Sequence, residues 1–171
     1  MTPQLSATEP FDRRSHRVDQ FSCGEETLDR WLRAYAGQNQ RRDAARTFVT
    51  TDRERRVVGY YTLVAAQVEH EQATVDVRSG LSQYFPIPVA LIARLAVATS
   101  HQGAGLGRSL LLDALKRLLR ASDELAIRAV TVDALNSDAA SFYRKFGFEP
   151  SRLTSDTLMV PLESVRAIVG S

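Results

Sequence analysis

The chain has few of the residues that build disulfide or metal sites. Cys23 is the single cysteine among 171 residues, so neither a disulfide framework nor a cysteine cluster for a metal can form. No stretch approaches the roughly 18 apolar residues of a membrane span. Residues 1–18 also lack the apolar core of a secretory signal. We therefore expect a cytoplasmic protein with no metal site and no membrane association.

Lysine is also scarce, and nearly all the basic residues are arginines. The net charge is only +2, so composition does not by itself indicate nucleic-acid binding. A guanidinium can donate two parallel hydrogen bonds to a phosphate, but acids lie between many of these arginines. Both a phosphate-binding face and an ordinary solvated surface therefore stay open. Many of the arginines fall early, at Arg13, Arg14, Arg17, Arg30, Arg33, Arg41, Arg42 and Arg46.

The length suits one domain with its own core, and no repeat or linker divides the chain. We expect a single domain over residues 1–171, with an irregular segment over residues 1–20. Hairpin strands come first, and strands then alternate with helices, which predicts an α/β (α+β) fold with a mixed sheet covered by helices. Residues 69–86 have no clear pattern beyond room for a short helix, and a tail is expected after the last strand. The predicted strands are 46–51, 56–68, 86–98, 127–135 and 156–162.

Three segments have helical patterns. In residues 23–44, an apolar stripe is formed by Leu28, Trp31, Leu32 and Tyr35. Leucines share one face of a helix that begins at about Leu106, and a shorter helix over residues 137–147 is expected to end at Gly147. Between the first two helices, residues 86–98 form a nearly continuous apolar run, which predicts a strand buried on both faces.

The segment "QGAGLG" places Gly103, Gly105 and Gly107 between that strand and the start of a helix. Glycines there let backbone amides converge on an anion, and the helix dipole adds to the attraction. A tight turn without a ligand is the alternative. The glycine spacing fits neither the dinucleotide fingerprint nor the P-loop, which also needs a lysine after its last glycine.

The pattern that fits is Q/R-x-x-G-x-G/A, formed by Gln102, Gly105 and Gly107. With the preceding "LIARLAV" and the later "VDALNSDAASFYRKFGF", it resembles the GNAT family of N-acetyltransferases. The resemblance implies a mixed, mostly antiparallel sheet of about six to seven strands flanked by helices. It also implies that the loop binds the pyrophosphate of acetyl-CoA. The cofactor-binding residues that it implies are Leu95, Ala96, Val97, Gln102, Gly103, Ala104, Gly105, Leu106, Gly107, Arg108, Asn136 and Tyr143.

Tyr143 is the candidate catalytic residue. The resemblance places this tyrosine beside the sulfur of the cofactor. A thiol has a pKa of about 8.5 and a phenol about 10, so a positioned tyrosine can protonate the departing thiolate as a general acid. Without the resemblance, an aromatic core residue on a stripe with Ala139 and Phe146 is the simpler interpretation.

Many members of the family place a carboxylate base near the acceptor amine, but "PVALIARLAVA" contains no acid. Arg94 and His101 are the remaining ionisable groups nearby, and His101 is better explained as a surface turn residue. An α-amine has a pKa of about 7.7 to 8.0 and is partly neutral at neutral pH, whereas a lysine at about 10.4 is not. The missing base therefore favours an α-amine or an aminoacyl ester as acceptor.

The segments "FSCGEETLDRWL", "RTFVTTD", "VVGYYTLVAAQVE" and "FPIPVALIARLAV" look like those of GNAT toxins from type II toxin–antitoxin systems. This narrower resemblance implies acetylation of the α-amine of aminoacyl-tRNA and a block of translation. It also implies a ribbon-helix-helix antitoxin, operator DNA bound only through the antitoxin complex, and a homodimer. The arginines that we assign to tRNA phosphates are Arg30, Arg33, Arg41, Arg42 and Arg94.

Two other functions stay open. One is an N-acetyltransferase that acts on a protein N-terminus or a small amine, with little dependence on the early arginines. The other is a module that binds the cofactor without catalysis and acts through its partner. Ligand binding would stabilise such a module even though no reaction follows.

Overall fold

The structure, a computed structural model, describes residues 4–170. Residues 1–3 and residue 171 of the predicted domain lie outside the described residues. The chain divides into two compact units. The first contains the described residues up to Val64 together with Arg94–Ala114, and the second contains Ala65–Ala93 and the described residues from Leu115 onward. No helix within residues 4–170 combines the length and apolar character that a membrane span requires.

A seven-stranded sheet with flanking helices confirms the predicted fold class. The strands are β1 (Glu9–Pro10), β2 (Arg46–Thr51), β3 (Val57–Val68), β4 (Ile87–Val97), β5 (Ala129–Asp133), β6 (Glu149–Pro150) and β7 (Thr157–Pro161). Their order is β1-β2-β3-β4-β5-β7-β6. β4 and β5 pair in parallel, and the pairs β1–β2, β2–β3, β5–β7 and β6–β7 are antiparallel. The helices are α1 (Glu26–Arg30), α2 (Ala36–Arg41), α3 (Val75–Arg78), α4 (Leu106–Ala121), α5 (Ser137–Arg144) and α6 (Leu162–Gly170).

In the first unit, the predicted hairpin forms with little change. β2 has the predicted bounds, and its buried Thr47 hydroxyl lies 3.0 Å from the hydroxyl of Thr62 on β3. The prediction of an irregular start was wrong for β1, which pairs with β2. Just before β1, the carbonyl of Ser6 accepts a hydrogen bond of 2.7 Å from the Thr50 hydroxyl. The regular structure of this segment depends on its contacts with β2, some forty residues further along the chain, so no local sequence pattern indicates it.

The first helix contains a π-helical turn, Trp31–Tyr35, between α1 and α2. A π turn holds more residues than an α turn, so it shifts the apolar face along the chain. Trp31 and Leu32 are buried as predicted, but Tyr35 is 42% exposed, and Ala36 takes its place in the core with no exposed surface. The predicted stripe was therefore wrong at its last position.

β4 is buried on both faces over its first residues, where Ile87, Val89 and Ala90 are buried, but from Leu91 onward one face is only half-buried, which corrects the prediction for that part of the strand. Ala90, Ile92 and Ala96 are buried, and Ala96 packs in a core cluster with Trp31. The alternate residues from Leu91 to Val97 are only half-buried. Because successive side chains of a strand point to opposite faces, the half-open face is the one that carries Leu91, Ala93, Leu95 and Val97.

α4 begins directly after the glycine segment, and its predicted leucine face is buried. The helix lies very close to β3 in the first unit. A Cβ atom added to Gly59 would lie 2.8 Å from Cδ1 of Leu110, which is fully buried. A glycine in β3 therefore permits the close approach of the helix that starts at the loop.

The second unit has its own core, which includes Val77, Ile87, Val89, Ala129 and Met159. α3 lies within residues 69–86, where the sequence allowed a short helix. β5, α5 and β7 form within their predicted ranges, each slightly shorter. The strand β6 was not predicted, because two residues are too few for a period-2 pattern.

The predicted tail after the last strand is in fact the helix α6. Its apolar residues Leu162 and Val165 are buried, and Ile168 follows at the same spacing. This i, i+3, i+6 repeat is present in the sequence, but it spans too few residues to predict a helix.

Candidate active site

The glycine loop has the backbone conformation that glycine allows. Gly103 and Gly105 have φ values of 82° and 86°, in the left-handed region where a side chain is strained. The amide of Ser109 donates to the carbonyl of Gly105 at 3.1 Å, so helical hydrogen bonding begins there. The amides of the first helical residues, which include Leu106, Gly107 and Arg108, have no partner further back in the helix. This arrangement can hold an anion such as a pyrophosphate.

The side chain of Gln102 fixes the position of the loop. Its Nε2 donates to the carbonyl of Val97 at 2.8 Å and to that of Cys23 at 2.9 Å. The loop is thereby tied to the end of β4 and to the segment before α1. The first position of the predicted pattern thus has a clear structural use, which the sequence did not suggest.

The remaining loop residues are open to solvent, and the adjoining strand is not. Gly103, Ala104 and Arg108 are exposed. On β4, Leu95 and Val97 are half-buried on the open face, and Ala96 is buried beneath them. All the predicted cofactor-binding residues except Asn136 and Tyr143 lie together in the first unit.

Asn136 and Tyr143 lie in the second unit, at the start and near the end of α5. Asn136 is exposed, and its Oδ1 accepts a hydrogen bond of 2.9 Å from the amide of Ala139. This contact is an N-cap, which stabilises the start of the helix. The asparagine therefore stabilises the helix that carries the tyrosine.

Tyr143 combines a buried ring with a hydroxyl that no residue in the described part of the chain binds. The side chain is 6% exposed, and its ring lies 5.2 Å from that of Phe142 and 5.6 Å from that of Phe148. No buried side-chain oxygen or nitrogen in residues 4–170 lacks a partner, so the hydroxyl itself reaches solvent. Burial raises the pKa of the phenol above its usual value, which keeps it protonated at neutral pH. Tyr143 can therefore serve as a proton donor.

Arg94 lies on β4 immediately before Leu95. Its guanidinium carbon lies 4.2 Å from the centroid of the Trp31 ring. Within residues 4–170, the guanidinium makes no hydrogen bond and no ion pair. Burial lowers the pKa of Arg94 from its usual value, but an arginine stays charged at neutral pH all the same. β4 thus carries a cation and no acid.

Neither Cys23 nor His101 is arranged as a catalyst. Burial and the nearby Asp29 raise the pKa of the Cys23 thiol to about 11, so the nucleophilic thiolate is scarce at neutral pH. His101 lies in a short 3-10 turn, Thr99–His101, where its Nδ1 is 2.8 Å from the hydroxyl of Ser100. Both residues are explained by local structure.

The arginines assigned to tRNA differ in their surroundings. Arg33 donates to the carbonyl of Phe21 at 2.8 Å and pairs with Glu26 at 3.3 Å, so it is partly used to hold the helix. Arg30, Arg41 and Arg42 are exposed, and their guanidinium groups form no ion pair within residues 4–170.

An open cavity of about 490 Å³ lies beside Arg41. Arg13 and Arg14 also line it, although they were not among the residues that we assigned to tRNA. Asp12 is the acid at its edge, and it accepts a hydrogen bond of 3.0 Å from the amide of Arg14. No pattern in the sequence indicates that these two arginines lie near Arg41, because Arg41 comes from a different segment of the chain.

A family model described as "Acetyltransferase (GNAT) domain" matches residues 43–150, which include the glycine loop, Asn136 and Tyr143. The chain belongs to the GNAT acetyltransferase family. This finding confirms the resemblance drawn from Gln102, Gly105 and Gly107, and it makes the chain an acetyltransferase.

The relatives of this GNAT chain include bacterial toxins. A tRNA-acetylating toxin of Mycobacterium tuberculosis (strain ATCC 25618 / H37Rv) is 42% identical over 153 residues, which cover 90% of each chain. The structure of AtaT complexed with acetyl-methionyl-tRNAfMet is similar with a TM-score of 0.87 and 29% identity, covering 96% of this chain and 99% of that one. A mutant AtaT toxin bound to acetyl-CoA and the C-terminus of the antitoxin AtaR gives a TM-score of 0.83 at 28% identity, covering 98% and 99%.

Proposed function

We propose that this chain is a toxin that transfers the acetyl group of acetyl-CoA to the α-amine of aminoacyl-tRNA and thereby blocks translation. The observation that carries the proposal is the 42% identity to a tRNA-acetylating toxin over 90% of both chains. A match of this extent includes the loop, the strand before it and the segment with Tyr143. The contacts described above support the same chemistry.

The glycine loop fits acetyl-CoA by the chemistry of its donors. Amides at the start of α4 suit the pyrophosphate, and the exposed Arg108 can add a charged donor. The half-open face of β4 at Leu95 and Val97 suits the pantetheine arm. Acetyl-CoA supplies the acetyl group as a thioester, and the side chain of Gln102 keeps the loop in place to receive it.

Tyr143 is the general acid of the proposed reaction. The neutral α-amine attacks the thioester carbonyl, the carbon–sulfur bond breaks, and the Tyr143 hydroxyl donates its proton to the departing sulfur. The nitrogen releases one proton to solvent as the amide forms, and the phenol regains one from solvent. The phenol stays protonated at neutral pH because burial raises its pKa, and no described residue competes for its proton. Proton donation of this kind typically contributes about 10²- to 10⁴-fold to the rate.

The acceptor is proposed to bind through its phosphates. The guanidinium groups for these contacts come from Arg13, Arg14 and Arg41 around the open cavity and from Arg30 and Arg42, which are nearby in sequence. Their geometry is not specific for any base. Such contacts fix the position of a nucleic acid and make its affinity depend on salt.

The remaining partners follow from the toxin assignment. We propose a cognate antitoxin of ribbon-helix-helix type, operator DNA reached only through the antitoxin complex, a homodimer and a cytoplasmic location. The antitoxin-bound relative is the finding that supports a protein inhibitor.

A translation assay with and without acetyl-CoA, followed by mass measurement of the aminoacyl-tRNA, tests the proposal. We expect arrest only with acetyl-CoA, together with one added acetyl group on the amino acid. Labelling of a peptide N-terminus or a small amine instead would favour the first alternative. Stabilisation by acetyl-CoA without turnover on any amine would favour a non-catalytic module.

A further inference from the structure

The side chain of His16 closes the turn that carries Arg13 and Arg14. His16 is 4% exposed, and its Nδ1 accepts a hydrogen bond of 2.9 Å from the amide of Asp12. The carbonyl of Asp12 in turn accepts the amides of Ser15 and His16 at 3.0 Å and 2.9 Å. The imidazole ring and the backbone therefore join the two ends of this turn, which spans residues 12–16.

The hydrogen bonds of the His16 ring also connect the turn to the sheet. Because Nδ1 accepts a backbone N–H, the proton of the neutral ring lies on Nε2, which donates to Oε1 of Glu9 at 2.7 Å. Glu9 lies on β1, at the edge of the sheet, and Arg55 pairs with the same oxygen at 3.0 Å. Arg55 also donates from Nε to the carbonyl of Ser15 at 3.1 Å. The turn is thereby fixed to β1.

Phe11 connects the turn to α2. Its ring stacks on that of His16, with centroids 5.9 Å apart and an interplanar angle of 21°. A Cβ atom added to Gly37 of α2 would lie 3.8 Å from Cε2 of Phe11 and 3.5 Å from Nη1 of Arg41. Phe11 and the Arg41 guanidinium therefore meet α2 at the same point, so the turn and Arg41 are held side by side.

Three guanidinium groups consequently share one cavity. Arg13 and Arg14 are exposed and form no ion pair within residues 4–170, and they line the open cavity of about 490 Å³ together with Arg41. Like charges repel, and an exposed turn that is not held has many conformations, so these arginines need a brace to stay together. Donors that are already in place lose less freedom when they bind a ligand.

We propose that His16 is a positioning residue for the tRNA substrate, which fixes the turn over residues 12–16 so that Arg13, Arg14 and Arg41 contact the phosphate backbone together. The inference rests on the proposed function, because it takes aminoacyl-tRNA as the ligand of the cavity. The buried His16 ring acts through the turn, and the three arginines make the contacts.

Two substitutions separate the hydrogen bonds of His16. Asparagine can place an oxygen near the position of Nδ1 and keep the bond to the Asp12 amide, whereas glutamine reaches the position of Nε2 and loses that bond. The probe is total tRNA charged with a mixture of amino acids, and filter binding without acetyl-CoA measures Kd over a range of salt concentrations.

We expect His16→Gln to raise the Kd for charged tRNA on the order of tenfold for each phosphate contact that is lost. The slope of log Kd against log salt concentration should fall by about one to two, since one or both arginines of the turn leave the phosphates. His16→Asn should retain most of the wild-type affinity and slope.

A mutant cycle shows whether His16 acts through the two arginines. In a chain that already carries Arg13→Gln and Arg14→Gln, His16→Gln should cause no further loss of tRNA affinity. An equal loss in both backgrounds would overturn the inference, because His16 would then act on tRNA binding by another route.

Two measurements identify a merely structural effect. The Kd for acetyl-CoA should be unchanged in His16→Gln, because the turn contributes no residue to the proposed cofactor site. Ser151→Ala is the matched control, since it removes a hydrogen bond of 2.7 Å from the buried Ser151 hydroxyl to the carbonyl of Gln72 in the second unit. It should reduce stability in urea and leave the tRNA Kd unchanged.

A folded His16→Gln protein with the wild-type tRNA affinity and salt slope would also overturn the inference. Folding is checked by the fluorescence of Trp31, the single tryptophan. If His16→Gln does not fold, Arg55→Lys provides the test, because it keeps the charge but removes the guanidinium that holds Ser15 and Glu9. An unchanged slope in Arg55→Lys would then be the contrary result. Failure of the wild type to bind or acetylate charged tRNA would instead remove the proposed function, so the two failures are distinguishable.

Discussion

At the scale of the single residue, Tyr143 is notable for the contrast between its ring and its hydroxyl. The ring is packed between Phe142 and Phe148, and the hydroxyl has no partner in the described part of the chain. The simpler interpretation of the sequence, an aromatic core residue, thus describes the ring correctly. The free hydroxyl is what suits the residue to proton donation, and no spacing of residues could reveal it.

Replacing Tyr143 by phenylalanine should remove activity and preserve the fold. We expect acetyl transfer to fall by about 10²- to 10⁴-fold, the usual contribution of a general acid. The free energy of unfolding should change by less than about 0.5 kcal/mol, since the phenol makes no hydrogen bond to a described residue. Single-turnover rates and urea unfolding measure the two quantities.

Tyr35→Phe is the matched control, because Tyr35 is 42% exposed and has no proposed catalytic part. It should behave like the wild type in both measurements. A Tyr143→Phe enzyme with more than about a third of the wild-type rate would contradict the assignment of the general acid.

At the scale of the element, the loop before α4 shows how far a motif can be interpreted. The pattern predicted a turn at the start of a helix, and positive φ values at Gly103 and Gly105 explain why glycine is needed there. Gly107 lies inside the helix without such a φ value, so its glycine is not required by the backbone. The part played by Gln102 in tying the loop down depends on Cys23, which is far away in sequence.

Replacing Gly105 by alanine should weaken cofactor binding. A side chain in the left-handed region costs about 1–2 kcal/mol, and a loop that relaxes from this strain no longer points its amides at one anion. We expect the Kd for acetyl-CoA to rise by about five- to thirtyfold, the equivalent of that energy. Isothermal titration calorimetry measures the change.

Gly80→Ala is the control for strain alone. Gly80 has a φ of 78° and, like Gly105, no atom within 4 Å of an added Cβ, but it lies in the other unit. Its substitution should reduce stability by a similar amount and leave the Kd for acetyl-CoA unchanged. Equal losses of affinity in both variants would argue against anion binding by the loop.

At the scale of the whole molecule, the structure shows where the arginines lie and which of them form ion pairs. The sequence left a solvated surface and a phosphate-binding face equally open. In the structure, Arg46 is bound by Asp43 at 2.6 Å, whereas Arg13, Arg14 and Arg41 line one open cavity. Within residues 4–170, arginines with and without an ion pair therefore coexist, and those around the cavity are the ones that we propose to bind phosphates.

The double variant Arg13→Gln, Arg41→Gln should bind aminoacyl-tRNA with a weaker salt dependence. Each arginine removed from a phosphate should reduce the slope of log Kd against log salt concentration by about one. Filter binding over a range of salt concentrations measures the slope. Arg46→Gln removes the same charge from a paired arginine and should leave the slope unchanged, and an equal effect in both would refute a specific phosphate site.

We also propose that the chain is one domain, as its length suggested. β3, β4 and α4 each contribute residues to both compact units, so neither unit can unfold without breaking these elements. We expect a single unfolding transition in urea. Trp31 fluorescence reports the first unit, and amide exchange in β5 and β7 reports the second. Midpoints that differ between the two probes would indicate separate domains.

The sequence by itself determined the elements whose signals are local. Period-2 and period-3.6 patterns located β2, β3, α4 and α5, and the glycine spacing, with Asn136 and Tyr143, identified the family. Only the tertiary structure decided which side chains are free to act. Three features depend on residues that are distant in the chain. They are the stacking of Arg94 on Trp31, the cavity shared by Arg14 and Arg41, and the open face of β4. A local pattern records neighbours along the chain, whereas burial and charge compensation depend on neighbours in space.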